Sequence, residues 1–118
     1  MNKDILTNII SNLKKKGAKE IRSGSGNSKK PNALTFNGTR KTFTPDVVAL
    51  YEDKRDIFSI ENKIVKANIS DLIAKWILFG LEARKHNGSF YLVVSKENSA
   101  KCQDIIDSKK LSAELITY

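Results

Sequence analysis

The chain has 118 residues, enough for one domain with one hydrophobic core. Its 21 Lys and Arg against 13 Asp and Glu give a net charge of +8, which points to a polyanionic partner, nucleic acid ahead of anionic lipid. Cys102 is the one cysteine and His86 the one histidine, which excludes an internal disulfide, a cysteine-based zinc site and a histidine-rich metal site, and fits a reducing, cytoplasmic compartment. The longest apolar run, residues 76–81, is too short to span a bilayer. Residues 1–10 carry polar groups where a secretory signal needs its apolar stretch, so no membrane partner is expected.

Residues 3–16 are predicted to form a helix, because Ile5, Leu6, Ile9, Ile10 and Leu13 recur at helical spacing. Lys14, Lys15 and Lys16 suit the negative end of its dipole, and Gly17 is a natural stop. Residues 18–22 read as a short strand and residues 23–32 as a basic loop. Asn37-Gly38 between two alternating runs predicts a hairpin. Residues 46–51 form an apolar run suited to a strand buried on both faces. A charged turn at 52–56 leads to a second strand at 57–64.

Residues 69–85 predict a long helix, with Ser70 as its N-cap and Asp71 in its first turn. Gly80 inside it implies close packing against the sheet. Residues 89–94 read as a third buried strand, 99–110 as a helix and 113–118 as an edge strand. This order predicts an α/β layer protein with a mixed central sheet. The strands either side of the long helix are expected to be parallel.

Three charges interrupt this apolar pattern. Side chains alternate along a strand, so Glu61 and Lys63 are expected on one face, with Phe58, Ile60, Asn62 and Ile64 on the other. Asp46 opens the neighbouring strand just after Pro45, and pairing through the charged turn places its carboxylate near Glu61. Two carboxylates held close repel unless a cation sits between them. A hard cation such as Mg²⁺ takes a carboxylate or two, with waters and substrate phosphate completing its shell. Lys63 adds a point charge that can orient a water or hold a phosphate oxygen. Two acids, a metal and a lysine are the parts of a phosphodiester hydrolase. The Glu-x-Lys spacing alone carries little, since residues 52–54 repeat it and 107–109 repeat its Asp form. The competing reading makes Glu61 and Lys63 an exposed, ion-paired face of an edge strand.

Pro45-Asp46 on one strand and Glu61-Asn62-Lys63 on the next resemble the motif of the PD-(D/E)XK nuclease superfamily. More closely, the chain looks like the archaeal-type Holliday junction resolvases. Gly17 closing a helix, then "IRSGSG", "PDVVAL" and "EARKHNGSFYLVV", follow in that family's order over residues 5–95, with extra hairpin sequence before Pro45. The resemblance implies an α/β fold with a restriction-endonuclease-like core, αβββαβ, followed here by a C-terminal helix and strand. It implies Mg²⁺, with Mn²⁺ as an alternative, held by Asp46, Glu61 and the backbone carbonyl of Asn62. Lys63 then positions the attacking water or stabilises the transition state. Ser23 or Ser25 lies in a loop near the scissile phosphate, and Lys75 is a polar helper on the crossover helix. The family carries a Glu on its first helix; here Leu6 stands there, and Asp4 falls opposite the apolar stripe. A third ligand is therefore missing, or comes from elsewhere, with Glu20 or a partner chain as the candidates.

Arg22, Ser23, Lys29, Lys30, Arg40 and Lys41 flank these motifs in sequence, where phosphate contacts give affinity without base information. The expected function is a Mg²⁺-dependent DNA endonuclease acting on branched DNA, in recombination or repair. A homodimer is expected, because resolving a junction needs two symmetric cuts. The alternatives are a restriction- or repair-type nuclease acting on other DNA, and a non-catalytic DNA-binding protein with a degenerate nuclease fold.

Overall fold

The computed structural model describes residues 3–23, 30–35 and 42–118, with side chains from residue 5 onward. The elements run α1 (Lys3–Lys15), β1 (Glu20–Arg22), β2 (Leu34–Thr35), β3 (Thr42–Phe43), β4 (Val47–Leu50), β5 (Arg55–Glu61), α2 (Ile69–Lys85), β6 (Phe90–Val94), α3 (Lys96–Lys109) and β7 (Glu114–Thr117). Five strands form a mixed sheet in the order β1-β4-β5-β6-β7. β1, β4 and β5 are antiparallel neighbours, whereas β5, β6 and β7 run parallel. The expected α/β architecture with a mixed sheet is therefore present, and α2 joins parallel strands. β2 and β3 pair separately as an antiparallel ladder. The Asn37-Gly38 turn expected between them lies outside the described residues.

β5 and β6 have near-continuous apolar sequences because helices cover both faces of the sheet. On one face α1 lays Ile5, Leu6 and Leu13 against Val47, Ala49, Phe58, Ile60 and Val93. On the other, Trp76, Phe79 and Ala83 of α2, with Cys102 and Ile106 of α3, cover Ile57, Phe90, Leu92 and Val94. Among the described residues no helix is long and apolar enough to cross a membrane.

The boundaries differ from the sequence reading where loops take over from strand or helix. β5 ends at Glu61 rather than at residue 64. Asn68 folds the following loop back: its side-chain oxygen accepts from the Val65 N–H at 3.0 Å and its amide donates to the Lys63 carbonyl at 3.0 Å. Ile64, freed from the strand alternation, turns into the α2 core. Asn68, not Ser70, is the N-cap of α2. α3 starts at Lys96, behind Ser95, whose hydroxyl accepts from the Asn98 amide at 3.2 Å. Gly80 is close-packed, but against the segment before β7: a Cβ there would lie 2.9 Å from the Ser112 carbonyl oxygen.

The α2–β6 connection is pressed against the start of β5. The Gly88 N–H donates to the Ala83 carbonyl at 2.8 Å, and a Cβ at Gly88 would collide with the Arg55 carbonyl. The Ser89 N–H donates to Asp56 Oδ1 at 2.9 Å, and Lys54 Nζ lies 3.5 Å from Oδ2, so this carboxylate, 4% exposed, is compensated. Gly88→Ala must move backbone rather than a flexible side chain. It is expected to cost about 2 kcal/mol, within the usual range for overpacking. The check is a lower urea midpoint with an unchanged slope.

Candidate active site

The ends of three parallel strands come level at one edge of the sheet, where Glu61, Val94 and Thr117 stand side by side in register. β4 runs the other way, so its start lies at the same edge, with Asp46 just ahead of it. In open α/β sheets, the carboxyl ends of parallel strands are where ligands gather.

Asp46 is anchored to β5 twice. Its N–H donates to the Phe58 carbonyl at 3.1 Å, and its Oδ2 accepts from the Ile60 N–H at 2.6 Å. Burial pushes its carboxyl above the ordinary value of 3.8. The Ile60 N–H and the Lys75 ammonium oppose that shift, and the negative charge of Glu61 adds to it.

Glu61 is 7% exposed, so its charge must be met from within the protein. Three donors converge on one oxygen, Oε2: Lys75 Nζ at 2.6 Å, Trp76 Nε1 at 2.9 Å and Ser59 Oγ at 3.0 Å. Ser59 lies two residues back on the same face of β5, while Lys75 and Trp76 are consecutive on α2. Lys75 and Glu61 thus pair on the α2 side of the sheet, and Asp46 lies close enough to feel the charge of both. No buried side-chain nitrogen or oxygen among the described residues lacks a partner.

Lys63 follows β5 rather than lying on it, since the strand ends at Glu61. It is exposed on the following loop, and the amine that meets Glu61 belongs to Lys75. Asn62 is exposed, and its Oδ1 accepts from the Tyr118 hydroxyl at 3.3 Å. Arg22 is half-buried and paired with Glu20 at 3.2 Å. Glu20 stands opposite Leu50, at the end of β4 remote from Asp46, so it is not placed to be a third ligand. Leu6 is part of the α1 core, and the side chain of Asp4 lies outside the described residues. Ser23 follows β1 and Lys30 is exposed, whereas Ser25, Lys29, Arg40 and Lys41 lie outside the described residues.

Among the described residues, no three His, Cys, Asp or Glu side chains are grouped to share a metal ion. Asp46 and Glu61 still meet what Mg²⁺ asks of a protein, which is one or two carboxylates, with water and substrate phosphate supplying the rest. Trp76 and Ser59 were missed from sequence. Ser59 was legible as the polar residue two before Glu61, on the same side of an otherwise apolar strand. Trp76 carries no such signal, since an indole on an apolar helix face reads as core.

No family model, curated protein or solved structure matches the chain. Its fold and site define a basic α/β domain with a buried Glu61 paired to Lys75, and Asp46 nearby, where three parallel strands end.

Proposed function

We propose that the chain is a Mg²⁺-dependent DNA endonuclease with a restriction-endonuclease-like core, acting on branched DNA as a homodimer. The observation that carries this reading is the cluster of Asp46, Glu61 and Lys75 at one sheet edge. Two ionised carboxylates against one ammonium leave a net negative charge, which suits a divalent cation. Asp46 and Glu61 would hold that ion, with Mn²⁺ as an alternative. When bound, Mg²⁺ lowers the pKa of a water and draws charge from the phosphorus.

The chain's own groups do the rest. The Ile60 N–H fixes Asp46, while Ser59 and Trp76 fix Glu61, so both acids are oriented before substrate arrives. Lys75 holds positive charge beside them, where a phosphate oxygen would approach. Lys63, exposed on the loop after β5, would take a backbone phosphate. The net charge of +8 supplies long-range attraction to DNA that weakens with salt.

One observation favours a second reading, a protein of this fold that binds DNA without cutting it. Oε2 of Glu61 already accepts from three donors, and no third carboxylate joins the pair among the described residues. Labelled four-way junction and linear duplex, incubated with Mg²⁺, Mn²⁺ or EDTA, separate the cases. Metal-dependent cutting of the junction ahead of duplex is the expected result. Equal cutting of both moves the assignment to a restriction- or repair-type nuclease. Binding without cutting in either metal leaves the non-catalytic reading, and absence of binding removes all three.

A further inference from the structure

Tyr118 stands at the same sheet edge as the acid pair. Because Glu61, Val94 and Thr117 are in register, it is the first residue beyond the line of strand ends. Three hydrogen bonds hold it. Its N–H donates to the Val94 carbonyl at 3.0 Å, and its carbonyl accepts from the Lys96 N–H at 3.1 Å. Its hydroxyl donates to Asn62 Oδ1 at 3.3 Å, and Asn62 directly follows Glu61. The residue nevertheless stays 39% exposed. An aromatic side chain fixed through its backbone and its hydroxyl loses little freedom on meeting a ligand, so contact with its surface is inexpensive. Lys63 and Lys66 are exposed on the loop that Asn68 pins, and Lys96 is exposed at the start of α3.

A held aromatic group bordered by lysines is the combination that receives an unstacked nucleotide, the base on the ring and the phosphates on the amines. Bases within a continuous duplex cannot reach such a ring, whereas unpaired bases at a branch or in a single strand can. We propose that Tyr118 is a stacking platform for an unpaired nucleobase beside the acid pair, with Lys63, Lys66 and Lys96 taking the neighbouring phosphates. This rests on the DNA reading of the site. It names what would make the protein prefer branched or single-stranded DNA to plain duplex.

The test uses the full chain with EDTA, so that nothing is cut. The probe is branched DNA carrying 2-aminopurine at an unpaired position and a distant dye whose anisotropy reports binding. Stacking quenches 2-aminopurine, so wild-type protein is expected to bind and quench. Tyr118→Phe keeps the ring and is expected to quench as wild type does. Tyr118→Leu is expected to bind the branched DNA roughly 10-fold more weakly without quenching, its affinity for duplex unchanged. Quenching that survives in Tyr118→Leu overturns the platform. So does equal loss in Tyr118→Phe and Tyr118→Leu, which would show that the hydroxyl acts only by holding Asn62. Wild-type binding without quenching overturns the platform and leaves the DNA reading intact, whereas absence of DNA binding overturns both.

Discussion

In urea titrations followed by the emission of Trp76, the one tryptophan in the chain, Lys75→Met is expected to lose about 3 kcal/mol or more of stability. Glu61 is 7% exposed, and the side chain of Lys75 is 19% exposed, so their 2.6 Å contact is largely shielded from water. Removing the amine leaves an ionised carboxylate with only the neutral donors Trp76 and Ser59, and an uncompensated buried charge is among the costliest defects a fold can carry. For a domain of this size the loss corresponds to a fall in Tm on the order of 10 °C. Glu61→Gln is expected to cost less, because the Lys75 ammonium can extend toward water and the amide oxygen still accepts from Trp76. The double variant Glu61→Gln/Lys75→Met is therefore expected to be more stable than Lys75→Met alone, a reversal that only coupled sites produce. Wild-type stability in Lys75→Met would show that solvent, not Lys75, compensates Glu61.

The sequence and the fold part company at this cluster. The extent of α2, residues 69–85, was legible from its helical pattern, although its N-cap is Asn68 and not the expected Ser70. The parallel pairing of β5 and β6 followed from the crossover through α2. The end of β5 was not legible, since Ile64 falls in step with Phe58 and Ile60 and so extends the apparent strand past Glu61. Beyond the strand, Asn68 holds the loop from seven positions past Glu61, and no local pattern reports such a bond. Lys75 shows the same limit. Its contact with Glu61 depends on which way α2 is rotated over the sheet, and that is set by the packing of Leu72, Trp76 and Phe79. Only the resemblance to a nuclease family pointed to Lys75, and strand alternation assigned the lysine beside Glu61 to position 63. Pairing through the charged turn placed Asp46 near Glu61, yet the bond of its side chain to the Ile60 N–H, made from just ahead of β4, is one that strand pairing alone does not report.

The largest effect on the proposed chemistry is expected at Asp46, and there activity and stability should move in opposite directions. Asp46→Asn keeps an oxygen to accept from the Ile60 N–H and removes the charge that would help hold the metal. DNA cleavage is expected to fall roughly 100-fold or more, with DNA affinity in EDTA retained. Terbium luminescence excited through Trp76, which donates directly to Glu61, should fall in parallel and reports the ion without any cleavage. Stability is expected to rise at neutral pH. Burial first, with Glu61 adding, raises the folded-state pKa of Asp46 above 3.8, so the fold favours its protonated form. That contribution is complete below 3.8 and is lost as pH rises through the raised folded value. At neutral pH the wild type thus carries a disfavoured carboxylate that the amide replaces with a neutral group. The advantage of the variant in urea midpoint should shrink as pH falls through the same window and vanish below it. Cleavage at the wild-type rate would remove Asp46 from the site, and a lower neutral-pH midpoint would show that the fold does not resist its charge. An acid that the fold tolerates at a cost, oriented by a backbone N–H and influenced by a second acid, would suit the cation site proposed above.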